Sequence, residues 1–328
     1  MGTYHAGTLA TLPSTDLVVV VDAARDAAAS VARLHGGCRS SIDPSDAWGD
    51  DVDAVVIASP AATHADLVVA AARAGKAVFC EKPLATDLAS AQRAADAVAS
   101  SGVPFQIGFQ RRYDPATARL LAAAHAGTLG RLETFRSFTF DPEGPAYPDM
   151  VAAAGIFHDT ASHDVDLALA ALGPVDDVFT RGTSVLDPRF DGLGKPDTTL
   201  VSLRFASGAL GTIENRLRSG YGYETGLELS GSRAKGIASD DRVDGLVLRR
   251  DGREERDLVP WFVERFADAY RSELMAFAAA LAAGDAPRPG VAQAVEVLRV
   301  CLAIERSYRE DRPVELREIV LDGPRGDA

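Results

Sequence analysis

Between Leu17 and Phe109 short apolar runs alternate with alanine-rich stretches of helical period. Leu17-Val18-Val19-Val20-Val21 reads as a buried strand ending in Asp22. Residues 23–34 follow as a helix that Gly36-Gly37 stops. Further strands are expected over 53–58, 77–80 and 105–109, and helices over 65–74 and 88–100. Thr86 and Asp87 are candidate caps for the last helix. A shorter helical pattern, 5–12, precedes the first strand and is closed by Pro13 and Ser14. Strands and helices alternating over such short distances imply parallel βαβ units.

The pattern changes after residue 113. Strands are expected over 132–140, 178–185, 198–205, 209–217 and 227–231, joined by Gly, Pro or Asp turns. Val201, Leu203 and Phe205 alternate with polar residues and mark one buried face, which leaves the other face for an oligomer interface. A helix is expected from 155 to 172, stopped by Gly173-Pro174. The fold class is therefore α/β: an amino-terminal doubly wound parallel sheet of Rossmann type over 1–113, then an α+β domain over 114–321 with a large, mostly antiparallel sheet. Residues 322–328 read as a flexible tail.

Composition narrows the function. The chain has 328 residues, 47% hydrophobic and 25% charged, with a net charge of −13. That charge disfavours nucleic acid and anionic membrane surfaces, both of which attract clustered Lys and Arg. No apolar run approaches the ~18 residues of a membrane span, and no signal peptide pattern stands at the amino terminus. Cys38, Cys80 and Cys301 are odd in number and form no metal-ligand pattern, which suits a reducing cytoplasm.

Three groups of residues carry candidate chemistry. Asp22, at the end of a strand, can accept hydrogen bonds from both hydroxyls of an adenosine ribose and would repel a 2′-phosphate, favouring NAD over NADP. The same residue can also cap the following helix. Gly2 stands 20 residues earlier, where the third glycine of a G-x-G-x-x-G turn belongs. The first strand and first two glycines are then expected upstream of Met1, with a mis-assigned start codon the simplest cause. Ser59-Pro60 and His64 follow the third strand and suit the nicotinamide ribose, although a lone His near a helix start is as readily structural.

Glu81-Lys82-Pro83 ends the next strand, and Pro83 blocks further ladder pairing. Lys82 thus projects from the edge where open α/β sheets bind ligands. Asp159, His163 and Asp166 fall at helical spacing on one face of the expected 155–172 helix. A carboxylate one turn from an imidazole suits a general base, and the same spacing also serves a surface ion pair. His158, Asp159 and His163 lack regular zinc spacing, so no metal is expected.

Taken in order, these motifs resemble the Gfo/Idh/MocA oxidoreductase family. The match runs through Met1-Gly2-Thr3-Tyr4-His5-Ala6, Asp22, Ser59-Pro60 with His64, and the signature Glu81-Lys82-Pro83. Gly108 to Pro115, the Asp159/His163 segment, and Trp261, Arg265-Phe266, Tyr270 and Glu273 on a carboxyl-terminal helix are similar to the inositol dehydrogenase branch. The resemblance implies Lys82, Asp159 and His163 as catalytic residues, and Gly2, Asp22, Ser59, Pro60, His64 and Glu81 around NAD. It implies a homodimer or homotetramer oxidising a secondary hydroxyl of a cyclic polyol or sugar. Gln110, Arg111 and Tyr223 are candidate hydroxyl-binding residues, with Tyr221 competing with Tyr223. An aldose, a sugar acid or a nucleotide sugar remains an alternative substrate. A non-catalytic nucleotide-binding protein remains an alternative if Met1 is the true start.

Overall fold

A computed structural model of the chain describes residues 1–152, 154–239, 243 and 246–321. The tail expected at 322–328 lies outside the described residues. In chain order the elements are α1 (Gly2–Thr11), β1 (Val19–Val21), α2 (Arg25–Leu34), β2 (Arg39–Ser41), β3 (Ala54–Ile57), α3 (His64–Arg73), β4 (Ala77–Glu81), α4 (Leu88–Ser101) and β5 (Phe105–Gly108). There follow α5 (Pro115–His125), β6 (Leu132–Phe140), α6 (Tyr147–Ala152), α7 (Ala161–Leu172), β7 (Val175–Thr183), β8 (Thr198–Phe205), β9 (Leu210–Arg216), β10 (Glu224–Gly231) and β11 (Lys235–Ser239). The last are β12 (Leu248–Arg250), β13 (Arg253–Glu255), α8 (Phe262–Arg265), α9 (Ala267–Ala283), α10 (Val291–Glu310) and β14 (Val314–Glu315).

The chain divides into two compact units. Among the described residues, the first holds Met1–Gln110, Tyr270–Leu298 and Leu321; the second holds Arg111–Ala269 and Arg299–Val320. The second unit is therefore not the unbroken 114–321 expected from the sequence. Helix α9 explains the difference, because its apolar side belongs to the core of the first unit. There Phe79 of β4, fully buried, packs with Leu12, Ala77, Leu274 and Phe277, and the two Phe rings meet edge to face at 5.8 Å. Burying a Phe of this kind contributes roughly 1.5–3 kcal/mol, and nothing local in the sequence says which strand that face of α9 will cover.

All strand pairs in the first unit are parallel. β3, β4 and β5 form one sheet with β4 central and buried at every position, while β1 and β2 form a separate two-stranded sheet. The run from Leu17 was expected to be a fully buried strand. Only Val19–Val21 are strand, and they are half-buried, since β1 ladders with β2 alone, whose Arg39 and Ser40 are exposed. Helix α4 begins as expected: the Asp87 side chain accepts the Ser90 N–H at 2.8 Å, and Thr86 plays no part.

The second unit is built on a seven-stranded sheet in the order β11-β10-β6-β9-β8-β7-β14. Only β6 and β9 run parallel. Val201, Leu203 and Phe205 are buried as the alternation predicts, on the face that α7 covers. On the opposite face Leu200, Leu210 and Ile237 are exposed, beside an Arg136–Glu228–Lys235 ion-pair cluster.

Candidate active site

The ligand-facing residues of the first unit sit where strands end. Asp22 is exposed directly after β1, and its Oδ1 accepts the Ala24 N–H at 2.8 Å. It closes a turn before α2, whose N-cap is Ala24, so the capping role takes this modified form. Ser59 and Pro60 are exposed after β3, with the Ser59 and Thr63 hydroxyls 2.6 Å apart. Lys82 is half-buried after β4, and the Lys82–Pro83 peptide is cis.

His64 was expected near the cofactor. It is buried instead, with Nδ1 2.8 Å from the Pro83 carbonyl oxygen and Nε2 2.8 Å from that of Ser59. Both ring nitrogens are thus committed to backbone, and the imidazole cross-links the two loops that follow β3 and β4. Glu81, also expected among the cofactor residues, turns inward: its Oε1 lies 2.6 Å from His5 Nε2.

In the second unit the expected single helix from 155 to 172 is two pieces. Gly155 has a left-handed φ of +81°. The Ala161 N–H reaches back to the Ile156 carbonyl, five residues away, and regular helix starts only at Ala161. Asp159 therefore lies exposed in the turn before α7, off the helix face it was expected to share with His163. His163 is buried in the first turn of α7. Asp166 has a different task. It is buried and takes a bidentate grip from Arg112, Nε and Nη2 at 2.7 and 2.6 Å. His158, weighed as a metal ligand, pairs with Glu305 at 2.8 Å and thereby holds that carboxyl below its usual range.

Beneath α7 lies a network the sequence did not reveal. Asp164, fully buried, accepts hydrogen bonds from Arg111 Nη1 (3.1 Å), Asn215 Nδ2 (2.7 Å), Thr139 Oγ1 (3.1 Å) and the Ser137 hydroxyl. Arg111 also donates to Thr139 Oγ1 at 2.8 Å and to the Tyr223 hydroxyl at 3.3 Å. Ser137, Thr139 and Asn215 come from β6 and β9, so the network pins the start of α7 to the sheet. Tyr223 is buried, which pushes its phenol up to about 12 and keeps the hydroxyl protonated at neutral pH. Tyr221 is exposed and hydrogen-bonds Glu224, so the two tyrosines are no longer equivalent candidates. Gln110 is buried at the end of the first unit. Trp261 precedes the short α8, and Tyr270 and Glu273 belong to α9, so the expected carboxyl-terminal helix is broken at Phe266.

Residues 1–109 match the NAD-binding Rossmann fold of the Gfo/Idh/MocA oxidoreductase family, and residues 125–316 match its carboxyl-terminal α/β domain. The chain belongs to the Gfo/Idh/MocA family. It is 33% identical to the myo-inositol 2-dehydrogenase of Thermotoga maritima over 323 residues, 98% of this chain and 97% of that one. It is 34% identical to the scyllo-inositol 2-dehydrogenase (NAD(+)) of Bacillus subtilis over 319 residues, covering 96% and 93%. A probable dehydrogenase from Thermotoga maritima superposes with a TM-score of 0.93 at 33% identity, over 97% of this chain and 96% of that one.

The Gfo/Idh/MocA family implies a dinucleotide, and the donor set of the first unit fits one. α1 opens at Gly2, and a helix amino terminus presents unsatisfied N–H groups to a pyrophosphate. The nearest atom to a Cβ built on Gly2 is the Ala58 Cβ at 4.0 Å, which places this end of α1 beside the loop after β3. Asp22 supplies an exposed carboxylate for ribose hydroxyls. Among the described residues no helix is long and apolar enough to cross a membrane.

Proposed function

We propose that this protein is an NAD-dependent dehydrogenase that oxidises a secondary hydroxyl of an inositol. The observation that carries this reading is full-length identity of 33–34% to two inositol 2-dehydrogenases in a chain that carries Lys82, Asp159 and His163. NAD, held by Gly2 at the opening of α1, by Asp22 and by Ser59-Pro60, supplies the hydride acceptor. His163 takes the hydroxyl proton as the carbon–hydrogen bond gives up its electron pair, leaving a ketone. Asp159, in the turn before α7, stabilises the resulting imidazolium. Lys82 hydrogen-bonds the reacting oxygen and favours alkoxide character. Gln110 and Tyr223 bind further hydroxyls, with Arg111 acting through the Tyr223 hydroxyl it holds.

The test is NADH release over a panel of inositols and aldoses with NAD or NADP. Inositol turnover with NAD is expected, and Asp22→Ala should narrow the NAD preference by about tenfold or more. Turnover of an aldose in place of every inositol would reject the substrate assignment. The exposed Leu200–Leu210–Ile237 face is read as a contact between copies of this chain, and a monomeric mass by sedimentation would end that reading. Cys38, Cys80 and Cys301 form no disulfide, which supports a reducing compartment, the cytoplasm.

A further inference from the structure

Behind Lys82, in the core of the first unit, lie three titratable groups that the proposed chemistry does not use. His5 of α1, Glu81 at the end of β4 and Glu273 of α9 are 1%, 7% and 0% exposed, and one side-chain atom from each lies within 4.8 Å of the other two. His5 Nε2 and Glu81 Oε1 are 2.6 Å apart. Neither carboxyl oxygen of Glu273 has a hydrogen-bond partner among the described residues. Aromatic rings and a side-chain amide surround the three groups. Tyr4 of α1 and Tyr270 of α9 set ring edges near His5, Phe79 of β4 meets it edge-on, and Gln106 of β5 gives its amide to the Glu273 backbone carbonyl at 3.1 Å. A Cβ on Gly108 would stand 3.3 Å from the Glu81 carboxyl, so the glycine lets that group lie flat against β5.

Two carboxylates this close in a dry interior do not both ionise. The 2.6 Å between His5 Nε2 and Glu81 Oε1 is a hydrogen-bond distance. Two ligands at about 2.0–2.2 Å from a tetrahedral ion stand about 3.3 Å apart, so His5 and Glu81 are too close to share one and are joined by a hydrogen bond.

We infer that His5, Glu81 and a neutral, protonated Glu273 form a buried positioning triad that fixes where Lys82 leaves β4. Successive side chains of a strand face opposite sides, so anchoring Glu81 from within sets the direction of Lys82 on the other side. The same anchor ties α1, which opens the cofactor site, to the lysine strand. Burial, with Glu81 adding to it, raises Glu273 well above the usual carboxyl range, in keeping with the protonated form. The inference rests on the proposed role of Lys82, and its first test does not.

In the full chain at neutral pH, infrared difference spectroscopy should show a protonated-carboxyl stretch that shifts in heavy water and vanishes in Glu273→Gln. Its absence from the wild type would overturn the inference whatever the enzyme's substrate. A raised acid favours the fold at low pH and loses that advantage as pH climbs. Glu273→Gln should therefore melt with a flatter decline than the wild type as pH rises above the ordinary carboxyl range, about 4.3. In turnover, Glu81→Gln is expected to lower kcat about 10–100-fold with little change in the KM for NAD, as misplacement of a reacting group does. Glu273→Gln, isosteric with the neutral acid, should stay within about threefold of wild type. Equal losses in both variants, an unchanged Glu81→Gln, or a divalent metal that co-purifies and is lost in Glu273→Gln would each refute the triad. Wild type inactive on every inositol, yet showing the carboxyl band, would fault the substrate reading alone.

Discussion

Replacing His163 with alanine lowers kcat by about 10²–10⁴-fold and leaves the affinity for NAD nearly unchanged, the usual weight of a general base. The expectation rests on position. His163 occupies the first turn of α7 and is buried, so its ring is held by packing rather than sampled from solvent. Its neighbour in the proposal, Asp159, lies exposed in the preceding turn, and the nucleotide-facing residues belong to the other unit. Losing the imidazole thus removes a proton acceptor without touching Gly2, Asp22 or Ser59. Single-turnover rates and NAD titration by fluorescence separate the two quantities. A variant with wild-type turnover, or one whose loss is entirely in NAD binding, would remove His163 from the catalytic set.

Asp164→Ala should destabilise the second unit by about 3–5 kcal/mol, because it takes from a buried guanidinium the carboxylate paired with it. Asp164 is fully buried and answers Arg111, Asn215, Thr139 and Ser137 at once. Removing Arg111 in the same protein by Arg111→Met should recover part of the loss, since the stranded charge goes with it. Urea denaturation of the single and double variants measures both. A single-variant loss under about 1 kcal/mol would show that Arg111 finds other partners and that the network is dispensable. Activity should fall as well, because this network pins the residue after His163 to β6 and β9.

The contrast between Asp164 and its neighbours shows where sequence reading succeeds and stops. Val201, Leu203 and Phe205 announce their burial by alternation, and β6 and β8 begin and end where the pattern places them. Such signals are local, since a strand's period depends only on its own side chains. Asp159, Asp164 and Asp166 look alike in the sequence, eight residues from end to end with one imidazole among them. Helical spacing groups Asp159 with Asp166, whereas the structure sets Asp159 in an exposed turn, Asp164 on the sheet and Asp166 with Arg112. A left-handed Gly155 and a five-residue backbone hydrogen bond displace Asp159, and a single sequence carries no reliable sign of either. His64 is similar. Its two carbonyl partners lie 5 and 19 residues away, and a histidine's role is set by what meets its ring nitrogens.

By itself the sequence determined the parallel βαβ beginning, the large sheet that follows, the order of Asp22, Lys82 and His163, and through their spacing the family. Those are properties of period and chain order, which local backbone preference fixes. Only the tertiary structure decided that α9 returns to the first unit, that Glu81 turns inward towards His5 and Glu273, and that Asp164 ties α7 to the sheet. Each of these depends on groups brought together from distant parts of the chain, where burial makes every polar atom seek a partner. That requirement is imposed by the folded interior, and no window of sequence contains it.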